Sequence, residues 1–125
     1  MFNIDTMSRT PVYEQIIEQL QNFVLKGIMN PGDRMPSVRS LSVSLGINPN
    51  TIQKAYTELD RRGLTYSVPG KGVFISGDAV GILKEGGRMK LEELTELIGE
   101  LVLAGVSRED IIACVDEVFK GGKDI

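Results

Sequence analysis

Between Tyr13 and Val24, apolar side chains return every third or fourth residue. Tyr13, Ile16, Ile17, Leu20, Phe23 and Val24 share one helical face, and Glu14, Glu18 and Gln21 take the other. Thr10-Pro11 is expected to open this helix as cap and first helical residue, since the N–H that proline lacks has no partner there in any case, and Gly27 closes it. Asn30-Pro31-Gly32-Asp33 reads as a turn. A short second helix takes Ser37 as its cap, turns Val38, Leu41 and Leu45 inward and stops at Gly46. After Ile47, Asn48-Pro49 repeats the cap-plus-proline start. Ile52, Ala55, Tyr56 and Leu59 then form a buried stripe at i, i+3, i+4 and i+7, and Arg61, Arg62 and Gly63 end the helix. Two short helices joined through Gly46-Ile47 outline a helix-turn-helix.

The pattern then changes. Leu64 to Val68 and Val73 to Ile75 favour extended structure, and Pro69-Gly70-Lys71-Gly72 lies between them as a glycine-rich hairpin tip. A lone two-stranded hairpin is marginal in water, so this one must pack on the helices. From Asp78 the chain is helical and acidic, with Leu83, Leu91, Leu94, Leu97, Ile98, Leu101 and Val102 on a wide apolar face. Gly86-Gly87 either breaks or bends this helix, and Gly105 ends it. Ser107 caps a last helix carrying Ile111, Ile112, Val115, Val118 and Phe119, with Asp110 at its third position, and the tail from Lys120 is expected to fray. The expected fold is mostly α with a small β-hairpin. A winged helix-turn-helix spans 10–76, and a short two-helix region spans 78–120.

Composition narrows the chemistry. The 125 residues include no histidine and a single cysteine, Cys114. His-based acid/base catalysis, Ser-His and Cys-His nucleophile pairs, imidazole zinc sites and Cys-x-x-Cys motifs are thereby excluded. No catalytic constellation remains, and neither a cofactor nor a metal is expected. Glu92, Glu96 and Glu100 share one side of a helix, but opposite a leucine stripe they read as a solvated face. Cys114 reads as packing beside an apolar stripe. With neither a signal-peptide pattern nor an apolar run long enough to span a membrane, the expectation is a cytoplasmic protein without membrane association.

The net charge of −3 hides an asymmetry. Residues 1–76 carry eight Lys/Arg against six Asp/Glu, a net of +2, whereas residues 77–125 carry six against eleven, a net of −5. Within 34–76 the bases Arg34, Arg39, Lys54, Arg61, Arg62 and Lys71 face only Glu58 and Asp60. That local excess suits phosphate contacts. With its apolar stripe inward, the third helix turns Asn50, Thr51, Gln53, Lys54 and Thr57 outward near its N-terminus, where a recognition helix reaches base edges. Asn50 and Gln53 have the amide geometry for an adenine edge, and Lys54 suits guanine or a phosphate. At the hairpin tip, Gly70 and Gly72 allow close backbone approach and Lys71 supplies charge.

Several of these strings resemble one family. Pro31-Gly32-Asp33-Arg34-Met35-Pro36-Ser37-Val38-Arg39, then Leu45-Gly46-Ile47-Asn48-Pro49-Asn50-Thr51-Ile52-Gln53-Lys54-Ala55-Tyr56, Leu59, Gly63-Leu64 and Gly70-Lys71-Gly72-Val73-Phe74 are similar to the GntR family of bacterial winged-helix regulators. The Asn-Pro-Asn-Thr-x-Gln-Lys-Ala-Tyr string with only about 50 residues after the wing resembles its YtrA-type subfamily. The resemblance implies that Arg39 grips a phosphate, that Asn50, Thr51, Gln53 and Lys54 lie in the major groove, and that Gly70, Lys71 and Gly72 enter the minor groove. Ser37 and Asn48, the two caps, are counted with this DNA-binding set. Many relatives carry arginine where this chain has Pro49 and Gln53, and glutamates where it has Val38 and Ser40.

The sequence therefore points to a DNA-binding transcriptional regulator, expected to act as a repressor on double-stranded DNA. Two short helices cannot hide so wide an apolar stripe alone, so Leu91, Leu94, Leu97, Ile98, Leu101, Ile111, Ile112, Val115 and Phe119 are expected to form a homodimer contact. Such a dimer would read an inverted repeat with half-site centres about 34–36 Å apart. The YtrA resemblance suggests a transporter operon as target. A small-molecule effector, if one exists, would sit between the C-terminal helices or at the dimer interface. The alternatives are a winged helix that binds protein, and a minimal ligand sensor.

Overall fold

The computed structural model describes residues 1–121, so most of the tail expected to fray lies outside the described residues. Seven elements follow in order: α1 (Val12–Leu25), α2 (Val38–Leu45), α3 (Pro49–Arg61), β1 (Thr65–Val68), β2 (Gly72–Ile75), α4 (Ala79–Leu103) and α5 (Arg108–Gly121). They fall into two compact units, Met1–Lys84 and one that begins at Glu85.

In the first unit the helical stripes meet in one core. Ile16 and Leu20 of α1, Ile52 and Leu59 of α3, Leu64, and Ile75 of β2 are fully buried. Burial of each such side chain contributes about 1.5–3 kcal/mol, so Leu64 and Ile75 anchor a hairpin that would be marginal alone. The Asp60 carboxylate at the end of α3 adds a polar tie by accepting hydrogen bonds from the hydroxyls of Thr65 and Ser67. Gly46 leaves α2 in the left-handed region (φ 66°), which a side chain would resist, and lets the Ile47 N–H reach the Ser42 carbonyl at 3.1 Å.

Four local expectations change. Pro11 occupies the N-cap position of α1 rather than the first helical one, because its carbonyl already accepts the Gln15 N–H, and Thr10 makes no capping bond. Gly72 belongs to β2, paired with Val68, which leaves Pro69, Gly70 and Lys71 as the tip. The hairpin also gains a third extended segment. Gly32 N–H bonds to the Ile75 carbonyl (2.8 Å), Ile75 N–H to Asp33 (2.9 Å) and Met35 N–H to Val73 (2.8 Å), with Arg34 bridged to Phe74. Finally, residues ahead of α1 join the core: Phe2 is buried edge-to-face on Phe23, with ring centroids 5.2 Å apart.

In the second unit, α4 passes through Gly86 and Gly87 without a break. Each helix-interior glycine costs about 1 kcal/mol relative to alanine, but neither removes a hydrogen bond as proline would. α4 and α5 are joined across Gly105, and the Ser107 side chain caps α5 by accepting the Asp110 N–H at 3.1 Å. α5 continues through Lys120 to Gly121. Cys114 is exposed rather than packed. Among the described residues no helix is long and apolar enough to cross a membrane.

Candidate nucleic-acid interface

Two caps set the polar face of the helix-turn-helix. Ser37 Oγ accepts the Ser40 N–H at 3.0 Å and Asn48 Oδ1 accepts the Asn50 N–H at 2.8 Å, which commits one acceptor of each. The Ser37 hydroxyl proton and the Asn48 amide donors remain available to a ligand. Tyr56, buried in α3, donates its hydroxyl to the Pro36 carbonyl at 2.6 Å, and so fixes the segment that leads into α2 against α3. Burial pushes its phenol well above the ordinary value.

With Ile52, Ala55 and Tyr56 inward, α3 exposes Asn50, Gln53, Lys54 and Thr57, and Thr51 is half-buried. Gln53 Nε2 donates to Thr57 Oγ1 at 3.2 Å, which orients its amide along the helix. Lys54 Nζ sits 3.9 Å from the centre of the Tyr13 ring on α1, a cation–π contact. That ammonium lies in an open groove of about 700 Å³ between α1 and α3, walled by Glu14, Glu18 and Glu58 among others. Hydrogen bonds from Arg61, then Arg62, hold the Glu58 carboxyl down at about 2. Those two guanidiniums are thus spent on a neighbour, at 2.6 and 2.7 Å. Arg39, exposed on α2, and Lys71, exposed at the hairpin tip, form no ion pair among the described residues.

The first unit therefore brings Ser37, Arg39, Asn48, Asn50, Thr51, Gln53 and Lys54 onto two successive helices, and carries Gly70, Lys71 and Gly72 on the hairpin beside them. Two participants escaped the sequence reading. Tyr13 looked like one more member of a core stripe, yet it is half-buried and supports Lys54. Arg34 was only one of several bases, yet its guanidinium lies against Gly72, where an added Cβ would come within 2.9 Å of Nε. No local signal marks either, because each partner lies about 40 residues away in the chain.

Among the described residues no group of three or more His, Cys, Asp or Glu side chains is placed to hold a metal ion, and Glu92, Glu96 and Glu100 are exposed on α4. A hydrogen-bonding helix N-terminus of this kind fits the major groove, and a charged, glycine-bearing hairpin fits a backbone or minor groove.

A helix-turn-helix followed by a hairpin braced on its core defines a winged helix-turn-helix protein. Its lineage is equally plain: the model of the bacterial regulatory proteins of the gntR family matches residues 12–75, and the chain belongs to that family. It is 45% identical to the HTH-type transcriptional repressor YtrA of Bacillus subtilis (strain 168), over 98% of each chain, and is of the YtrA type. A GntR family transcriptional regulator from Listeria monocytogenes has the same fold, with a TM-score of 0.73, 33% identity, and coverage of 92% of this chain and 99% of that one. The DNA-binding domain of AraR, solved in complex with operator ORX1, aligns with a TM-score of 0.53 and 30% identity over 59% of this chain and 92% of that one. The chain is a DNA-binding transcriptional regulator of this family.

Proposed function

We propose that the protein is a homodimeric repressor that binds an inverted-repeat operator through two copies of the winged helix-turn-helix. The observation that carries this reading is the outward polar set on the first two turns and middle of α3, Asn50, Gln53 and Thr57, together with Arg39 and Lys71, cations that form no ion pair among the described residues. Amide side chains pair with adenine edges and the cations take phosphates, so register comes from Arg39 and the helix N-termini and base preference from Asn50, Gln53 and Lys54. Lys71, with Gly70 and Gly72, follows the minor groove. The AraR domain that shares this fold was solved on an operator, which supports DNA as the ligand, and the relative YtrA is a repressor, which supports the sign of regulation.

Dimerisation is supported by the second unit. Leu91, Leu94, Leu97, Ile112, Val115 and Phe119 are exposed in the single chain, Phe119 at 76%, while Ile98, Leu101 and Ile111 are half-buried. A stripe of this width is unusual on a soluble monomer and suits a second copy of itself. The YtrA resemblance supports a transporter operon as the regulated target, and an effector, if one exists, would need a small site between the C-terminal helices or at the dimer interface.

The test is selection of bound sequences from a random double-stranded DNA pool, with sedimentation of the free protein alongside. Enrichment of an inverted repeat, with half-site centres about 34–36 Å apart, and a dimer mass are expected. A folded protein that sediments as a monomer and enriches nothing would overturn the reading.

A further inference from the structure

We propose that Arg34 is an additional DNA-contacting residue, seated by Gly72 so that its guanidinium grips a backbone phosphate beside the Gly70-Lys71 tip. This rests on the reading of the hairpin as a DNA-binding wing.

The sheet places Arg34 in a row. Its backbone bridges Phe74, and Phe74 pairs with Tyr66 across the hairpin, their rings stacked at 5.7 Å. The alternate residues Thr65 and Ile75 are buried, so Arg34, Phe74 and Tyr66 share the outer face. Two residues back along β2, on that same face, stands Gly72. A Cβ built there would lie 2.9 Å from Arg34 Nε, 3.4 Å from Nη2 and 3.5 Å from Cζ, so the guanidinium covers the bare α-carbon. The φ of Gly72, 126°, independently excludes most side chains. Gly70 is different: nothing lies within 4 Å of its Cβ position. The tip glycine, Gly70, therefore leaves space for a ligand, whereas the space at Gly72, the first residue of β2, is filled by Arg34.

Among the described residues the seated guanidinium has no protein acceptor: it forms no side-chain hydrogen bond and no ion pair, in contrast to Arg61 and Arg62 on Glu58. The adjacent Asp33 carboxylate is not paired with it and instead accepts the Asn30 N–H at Oδ2, at 2.8 Å, within its own turn. A planar fork held in place with its donors unspent matches a phosphate and loses little freedom on binding one. Lys71, exposed at the tip next to Gly72, supplies a further positive charge on the hairpin.

The experiment measures binding of the full chain to the selected duplex and to an unrelated duplex as salt is varied, for wild type, Arg34→Ala, Arg34→Lys and Gly72→Ala, with thermal melts of each. Arg34→Ala is expected to melt like wild type, to bind both duplexes several-fold more weakly, and to flatten the slope of log K against log salt by about 0.9, the loss of one phosphate contact. Arg34→Lys keeps the charge but not the fork and is expected to recover part of the affinity and most of the slope. If Gly72→Ala folds, it is expected to show the Arg34→Ala loss, with no further loss in the double variant. Wild-type affinity and slope in Arg34→Ala overturn the proposal while leaving the DNA-binding reading intact, and a loss confined to one base pair overturns the phosphate assignment. Wild-type protein that binds neither duplex at low salt overturns both.

Discussion

Asn3 and Gln19 are joined by two hydrogen bonds: the Asn3 N–H donates to Gln19 Oε1 at 2.8 Å, and Gln19 Nε2 donates to the Asn3 carbonyl at 2.7 Å. Gln15, one helical turn earlier, does the same for Asp5 at 2.9 and 2.8 Å. The match is geometric, because residues four apart on a helix and two apart on an extended strand are both spaced by roughly 6–7 Å. Two side-chain amides thus act as a strand for the segment that precedes α1 and hold Phe2 in the core.

Gln15 is buried, and its Nε2 also donates to the Thr10 carbonyl at 2.8 Å. Gln15→Leu leaves those backbone groups without partners and is expected to destabilise the protein by about 1–3 kcal/mol. Chemical denaturation measures the loss, and faster amide exchange at Asp5 is expected to accompany it.

Tyr56 provides a pH signature. Its phenol is held protonated by burial, so the folded state keeps a proton that the unfolded state releases above about pH 10. Stability is therefore complete below that pH and falls as pH rises through it. Tyr56→Phe is expected to lose about 1 kcal/mol at neutral pH, where the bond to Pro36 is gone, and to narrow its deficit as the pH rises beyond 10. Melting curves from pH 7 to 11 make the comparison.

Among Asn50, Gln53, Lys54 and Thr57 on the outward face of α3, Lys54 is the one cation. Lys54→Ala is expected to weaken operator binding by about 1–3 kcal/mol and to relax preference at one position if the ammonium leaves Tyr13 for a base. If it meets only phosphate, the loss is uniform over sequences. Anisotropy titrations against single-base variants of the operator separate these outcomes, and unchanged affinity would remove Lys54 from the interface.

Leu97 is half exposed on α4. Leu97→Glu places a charge in the apolar stripe and is expected to shift the protein to monomer in sedimentation, with the melting of the first unit unchanged. If the protein is the dimer proposed above, operator affinity is expected to fall steeply, since each half-site then binds alone.

Much of this architecture is local and was legible in the chain. Ser37, Asn48 and Ser107 cap helices as their side chains suggest, and the stripe Ile52, Ala55, Tyr56 and Leu59 is buried as its spacing predicts. Both rest on hydrogen bonds and periodicities that span four residues or fewer between caps and turns. Pro11 stands one position earlier than its preference for the first helical residue predicts, at the cap of α1.

By itself, then, the sequence determined the helices, their exits, the hairpin and the polar face of α3, because those follow from backbone chemistry between near neighbours. Only the tertiary structure decided that Gln15 and Gln19 hold the leading segment, that Gly32 to Met35 completes the wing, that Lys54 rests on Tyr13, and that Gly72 is shaped for Arg34. These contacts join residues separated by about 10 to 40 positions, with no periodicity to announce them. Their partners meet only once the core has closed around Ile16, Leu20, Ile52 and Leu59 and brought distant surfaces together.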